Sequence, residues 1–229
     1  MKLGIIGRGP WGDVYAKTLR DMGIDHWQAG RDWEDASDAD GYIIASAPES
    51  HHRIADTMMF RKKPVLIEKP MTKAGGSARR LLNIARTTDA IAFVGHTRLY
   101  SPAWREFKRE ALADGVTAVY GVVGGGTSDH WWGWGPHLVA MCLDLDFDPH
   151  DATLITTEAD VPLHFDVNGG NYFSDVQEQP TPLEVLISEF VAAIEYGAPD
   201  YRGVELGVRV VEYLEEKEAH WKRQALATS

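Results

Sequence analysis

Cysteine is nearly absent from this 229-residue chain: Cys142 stands alone, which excludes an internal disulfide and suits a reducing compartment. It falls in the apolar run 138–143, Leu-Val-Ala-Met-Cys-Leu, and reads as a buried structural thiol, not a nucleophile. No apolar run approaches the roughly 20 residues that cross a bilayer, so no membrane partner is expected. Positive charge is also scarce. Lys and Arg number 23 against 34 Asp and Glu, a net charge of −11, which disfavours nucleic-acid backbones while leaving room for a local phosphate pocket. Internal repeats and low-complexity linkers are missing, and the scattered histidines show no metal-ligand spacing. Met1 runs within a few residues into a glycine motif, so no leader is expected and the cytoplasm is the expected location.

What is present is an ordinary globular composition, 44% hydrophobic and 25% charged. The first segment reads as strand, glycine turn and helix. Leu3 to Ile6 is apolar, Gly7-Arg8-Gly9-Pro10-Trp11-Gly12 follows, and Trp11, Tyr15 or Ala16, Leu19 and Met22 then share a helical face closed by Gly23. Further strands are expected at 25–29, 42–45, 64–67 and 90–94. Helices are expected at 50–60 and around Ala78, Leu81, Leu82 and Ala85, the latter capped by Ser77. Strands and helices alternating at this rhythm predict βαβ units and a parallel sheet.

After about residue 115 the grammar changes. A strand at 119–123 ends at Gly124-Gly125-Gly126, and a helix is expected at 136–145. From Leu154 to Val176 period-two alternation (Val161, Leu163, Phe165, Val167) and the turn Asn168-Gly169-Gly170 predict hairpins, hence a small antiparallel sheet. Thr181-Pro182-Leu183-Glu184 is a capping box opening a helix that ends at Gly197, and a last amphipathic helix covers about 203–220. The expected architecture is therefore α/β: a Rossmann domain over 1–115, then a smaller α+β domain on an antiparallel sheet over 116–229.

The Gly7/Gly9/Gly12 pattern sits between a strand and a helix, the context in which it binds a dinucleotide. Gly7 permits the tight turn, Gly9 lets the backbone approach a pyrophosphate, and Gly12 lets helix and strand pack. Pro10 and Trp11 complete the cradle. An acidic residue is expected at the end of the second strand to hold the adenosine ribose, but Gly30-Arg31 stands there. An arginine without a carboxylate favours a 2′-phosphate, hence NADP. In the alternative, Arg31 is solvated, Asp32 holds the ribose and the cofactor is NAD.

The chain resembles the Gfo/Idh/MocA family, the relatives of glucose–fructose oxidoreductase and inositol dehydrogenase, as a short member. Besides the glycine turn, the likeness rests on Ala47-Pro48-Glu49-Ser50-His51-His52, similar to the family's Thr-Pro-x-x-x-His segment. It also rests on Glu68-Lys69-Pro70, the family's Glu-Lys-Pro signature, on 95–102 (Gly-His-Thr-Arg-Leu-Tyr-Ser-Pro) and on Trp134-Gly135-Pro136-His137. The resemblance implies that Ala47, Pro48, His52, Glu68 and Lys69 line the cofactor and that the Lys69–Pro70 bond is cis. It implies a hydride-transfer enzyme acting on a carbonyl or secondary alcohol of a sugar, polyol or similar small molecule. Lys69 would hydrogen-bond the reacting oxygen and His137 would shuttle its proton. Alternatively, Lys69 is a surface partner of Glu68, and His137 is a capping or structural residue. Many relatives carry an aspartate four positions before that histidine; here Gly133 stands there, with Asp129 or His130 as candidate substitutes. His96, Arg98 and Tyr100, which follow a strand, are candidate substrate residues. So is Trp134, grouped with Trp131 and Trp132 as a flat stacking surface for a sugar ring. The missing carboxylate and the short tail support a second class, a dinucleotide-binding regulator or inactive relative. A homodimer is expected through the small sheet, near Leu163, Phe165, Tyr172 and Phe173.

Overall fold

The computed structural model describes all residues except 36–37, 126–129, 175–176 and 228–229, and in it the chain divides into two compact units. The first comprises Met1–Gly95 and Leu183–Val208, the second His96–Pro182 and Arg209–Ser229. This division is not linear, unlike the 115/116 boundary expected from the sequence. Leu183–Val208 returns to the first unit because its groups complete that unit's edge. Ala92 N donates to Asp200 O at 2.7 Å, Phe190 meets Phe93 edge-on at 5.6 Å, and Arg86 pairs with Glu205 at 2.7 Å.

The first unit is an α/β layer structure. Its strands are β1 (Lys2–Ile6), β2 (Asp25–Ala29), β3 (Gly41–Ile44), β4 (Val65–Ile67) and β5 (Ala92–Val94). All pair in parallel in the order β2-β1-β3-β4-β5. The connecting helices are α1 (Pro10–Asp21), α2 (Pro48–Phe60) and α3 (Gly75–Thr88). Strands covered on both faces need continuous apolar runs. Leu3, Ile5, Ile43, Ile44 and Leu66 are accordingly fully buried, each burial contributing roughly 1.5–3 kcal/mol. The chain passes from β1 to β2 on one side and then crosses over to β3 on the other side of β1. The carboxyl ends of β1 and β3 thus flank a topological switch point, where open sheets of this kind hold ligands.

Two local expectations for this unit are corrected. Trp11, one turn before Tyr15 on the same side of α1, is not buried with Tyr15, Ala16 and Leu19; it is 42% exposed. Ser77 does not cap α3, which starts two residues earlier behind Ala74.

The second unit carries α4 (Pro102–Asp114), β6 (Val119–Gly124), α5 (His130–Asp144), β7 (Thr153–Thr157), β8 (His164–Val167) and β9 (Asn171–Ser174). Its sheet is mixed, in the order β7-β6-β8-β9, and not wholly antiparallel as expected. The hairpin half is as the sequence implies: β8 and β9 turn through Asn168 and Gly169, both with positive φ. The β6–β7 pair is parallel because α5 lies between the two strands in the chain and serves as their crossover. Helix α5 begins six residues before the expected start at 136, and Pro136 falls inside it; Trp131 and Trp132, in the added turn, are buried. Helix α4 was not anticipated, although its signals are local: Pro102 occupies the first turn and Ser101 Oγ accepts from Trp104 N at 3.0 Å.

Trp104 is fully buried and meets Phe165 and Phe173, both at 5.4 Å. Leu163, Phe165 and Phe173 therefore belong to the core and are not available to a second copy; of the four residues expected at a dimer contact, only Tyr172 is exposed. Tyr172 shares the outer face of the sheet with Tyr120 and Ile155, which are also exposed. A third piece of the chain, α6 (Pro182–Tyr196), starts at the proline of the capping box and ends at Gly197, as expected. The last helix, α7 (Arg202–Ala227), is longer than expected. No helix among the described residues is long and apolar enough to cross a membrane.

Candidate active site

A cavity of about 880 Å³ opens at the carboxyl ends of the parallel strands of the first unit. Three structural devices shape it. The first is the glycine turn. Gly7 has φ +143°, a left-handed backbone, and a Cβ there would collide with the carbonyl of Ala45. A Cβ on Gly12 would collide with the carbonyl of Gly7, so close helix–strand packing requires glycine there too. Gly9 differs: nothing lies within 4 Å of where its Cβ would stand, and it lines the cavity. Its hydrogen therefore leaves open a space beside the first turn of α1, ahead of the first helical hydrogen bond from Asp13 N to Gly9 O at 3.1 Å. Pro10, at the first helical position, has no N–H to leave unpaired.

The second device is the turn from β3 into α2. Ser46 Oγ and Ser50 Oγ share a hydrogen bond of 2.7 Å, and Ala47 and Pro48 line the cavity at the helix start. His51, buried at 1% exposure, reaches two carbonyls: Nδ1 lies 3.0 Å from Pro70 O and Nε2 lies 2.9 Å from Ser46 O. It thereby joins the turn after β3 to the segment after Lys69. Burial holds its pKa below the ordinary histidine value. His52, the residue expected to line the cofactor, is not among the cavity residues, and its buried Nε2 has no hydrogen-bond partner among the described residues. The sequence shows two adjacent histidines; the helical register, not the motif, decides that His51 faces inward.

The third device is the end of β4. Glu68 is 3% exposed, its Oε2 accepts from the Tyr15 hydroxyl at 2.9 Å, and its Oε1 has no partner among the described residues. Burial pushes its carboxyl up to about 7, against the opposing influence of Lys69 and Tyr15. Lys69 lines the cavity beside it, with Nζ 5.7 Å from the centre of the Trp11 ring. The Lys69–Pro70 bond is cis.

At the other end, beyond β2, Arg31 lines the cavity and is exposed, together with Arg8 and Arg53. Asp32 is turned to other work. Its Oδ1 accepts from Gly30 N at 2.9 Å, it lies 3.8 Å from Arg8, and it is not a cavity residue. Its own and the Gly30 backbone N–H hold its carboxyl below the ordinary value. Arg53 is fixed by Glu34 at 2.9 Å and lies over the buried Trp33 ring at 5.6 Å. Sequence reasoning assigned no site role to Arg8, Trp33, Arg53, His51 or Tyr15, although Arg8 lies inside the glycine motif and His51 inside the 47–52 segment.

The first unit thus brings together Gly7, Gly9, Pro10, Trp11, Arg31, Ala47, Pro48, Glu68 and Lys69 around one cavity, with Gly12 packed directly behind the turn. The remaining candidates lie in the second unit. His96 is buried just after Gly95, and Arg98 and Tyr100 stand half-buried on the short 3₁₀ turn Thr97–Tyr100. His137 is buried in the middle of α5, which excludes the capping role. Trp134 is half-buried one turn earlier, its ring 6.0 Å from that of His137, and it lies so close to Gly125 that a Cβ there would stand 2.6 Å from the indole. Trp131 and Trp132 are buried and offer no open stacking face. Of the candidate substitutes for the missing carboxylate, Asp129 lies outside the described residues and the His130 side chain is likewise not described.

The residues fit a dinucleotide: a turn open at Gly9, the N-terminus of α1, three arginines at one end, and a lysine and a buried carboxyl at the other. Residues 15–96 match the model of the GFO_IDH_MocA family, described as an oxidoreductase family with an NAD-binding Rossmann fold. No curated protein matches the chain. Among solved structures, the chain is similar to a candidate oxidoreductase from Magnetospirillum magnetotacticum, with a TM-score of 0.78 and 21% identity over 93% of this chain and 98% of that one. It is also similar to GenD2 from gentamicin A biosynthesis, solved with NAD, at TM-score 0.76 and 16% identity over 94% and 92%. A myo-inositol dehydrogenase from Corynebacterium glutamicum follows at TM-score 0.72 and 11% identity over 93% and 94%. At these identities the likeness is one of fold.

Proposed function

We propose, from the match of residues 15–96 to the model of the Gfo/Idh/MocA oxidoreductase family with its NAD-binding Rossmann fold, that the protein is an NADP-dependent oxidoreductase acting on a carbonyl or secondary alcohol of a sugar, polyol or similar small molecule. The observation that carries this reading is the single cavity joining the Gly7–Gly12 turn to Lys69. The nicotinamide supplies or accepts the hydride. Lys69 places an ammonium against the reacting oxygen and stabilises negative charge as it develops there. His137 serves as the proton relay, on the strength of the family resemblance and of an imidazole's ability to exchange a proton near neutral pH. Arg31, with Arg8 and Arg53, would hold the 2′-phosphate at that end of the cavity, whereas Asp32 accepts from Gly30 N and is not among the cavity residues. His96, Arg98, Tyr100 and Trp134 are carried as substrate residues on the resemblance. The protein works in the reducing cytoplasm as a homodimer, through the outer sheet face of Tyr120, Ile155 and Tyr172.

The test is a screen of sugars, nucleotide sugars and polyols for change in nicotinamide absorbance. Lys69→Ala should abolish turnover while dinucleotide affinity stays within a few-fold, and His137→Ala should slow turnover by about a hundredfold or more. Near-normal turnover in either variant removes that residue from its role. Gly133, at the position where relatives carry an aspartate, keeps a second reading open: a dinucleotide-binding regulator. It is favoured if the dinucleotide binds and no substrate in the screen turns over.

A further inference from the structure

Trp11 and Tyr15 stand four residues apart on α1, hence on one side of the helix one turn apart. They meet two consecutive residues at the end of β4. The Lys69 ammonium lies 5.7 Å from the Trp11 ring centre, within the range where an indole face attracts a cation. The Tyr15 hydroxyl donates to Glu68 Oε2 at 2.9 Å, and Tyr15 and Glu68 are 0% and 3% exposed. Behind this pair there is no slack: a Cβ at Gly95 would stand 2.5 Å from Glu68 Oε2 and 3.2 Å from the Tyr15 hydroxyl.

We propose that Trp11 and Tyr15 are positioning residues for Lys69, so that one rigid helix sets both the phosphate cradle and the lysine. Tyr15 fixes the side chain of Glu68 and with it the backbone from which Lys69 departs. Trp11 then limits where the long lysine side chain rests by giving its ammonium a flat, negatively polarised face. Position is the clue that separates Trp11 from a packing residue: it is 42% exposed and, unlike the equally exposed Val14 on the same helix, it lines the cavity beside Lys69. The inference rests on reading Lys69 as the group that meets the reacting oxygen.

The experiment measures acylation of Lys69 in the apo protein by an amine-selective reagent at fixed pH, read peptide by peptide by mass spectrometry, with the other lysines as internal controls. Trp11→Leu removes the π face from an exposed position and Trp11→Phe keeps one. Trp11→Leu should raise the Lys69 rate by about two- to fivefold, the change that a partly exposed cation–π contact converts to, with Trp11→Phe closer to wild type. Tyr15→Phe should raise it as well. In turnover, Trp11→Leu should lower kcat with KM little changed. Unchanged Lys69 acylation in Trp11→Leu, or acylation raised equally at all lysines, overturns the proposal. Acylation needs neither cofactor nor substrate. The expected labelling in a protein that transfers no hydride would sink the enzymatic reading while leaving the positioning contact in place.

Discussion

Replacing Glu68 by Gln should remove a pH dependence of stability that the wild type carries. The carboxyl titrates at 4.5 when unperturbed and is pushed up to about 7 by burial. Between these values the folded chain binds more protons than the unfolded chain, so the stability contributed by Glu68 is fully present below about 4.5 and is lost as pH rises through about 7. Between about pH 5 and about pH 8 that loss amounts to about 2.5 kcal/mol, from the linkage of a single group between those two values. Gln has the same shape, can still accept from Tyr15, and has nothing to titrate. Denaturant unfolding of wild type and Glu68→Gln across this range isolates the group, because the other titrations are shared. The variant should gain relative to wild type as pH rises. A constant difference between the two proteins, or a gain toward low pH, would refute the argument that this carboxyl is neutral when buried.

Arg31→Ala should lower the preference for NADPH over NADH, measured by fluorescence titration; equal affinities in the wild type, or an unaltered preference in the variant, would return the ribose to Asp32. Gly9→Ala should leave stability within about 0.5 kcal/mol, since its Cβ meets nothing, yet weaken dinucleotide binding by about tenfold, about 1.4 kcal/mol. Gly95→Ala should destabilise by roughly 1–3 kcal/mol, the scale of overpacking, because its methyl group would press on Glu68 and Tyr15. Light scattering should show a mass about twice the 25.5 kDa of the chain, reduced toward it by Tyr172→Lys with Ile155→Lys; a wild-type monomer would remove the dimer.

The Rossmann unit was legible because its signals are local and mutually consistent: apolar strands buried on both faces, a glycine turn, and helices whose faces repeat. The same logic failed where a residue's direction depends on partners distant in the chain. Trp11 reads as one more apolar residue on the face of α1, and only packing shows that Tyr15 is inside and Trp11 outside. His51 and His52 are equivalent as letters; the three-dimensional positions of Ser46 and Pro70 choose between them. Leu163, Phe165 and Phe173 alternate as an outer or an inner sheet face would, and Trp104, on α4, makes the face an inner one. The parallel β6–β7 pair was hidden for a related reason: hairpin turns announce themselves in sequence, whereas a crossover does so only if its helix is recognised at full length.

The central claim, that the cavity between the glycine turn and Lys69 takes a nicotinamide dinucleotide, is met most directly by calorimetric titration of the protein with NADPH, NADH and ADP-ribose. One molecule of dinucleotide should bind per chain, with NADPH tighter than NADH and ADP-ribose competing for the same site. No binding of any of the three would contradict it.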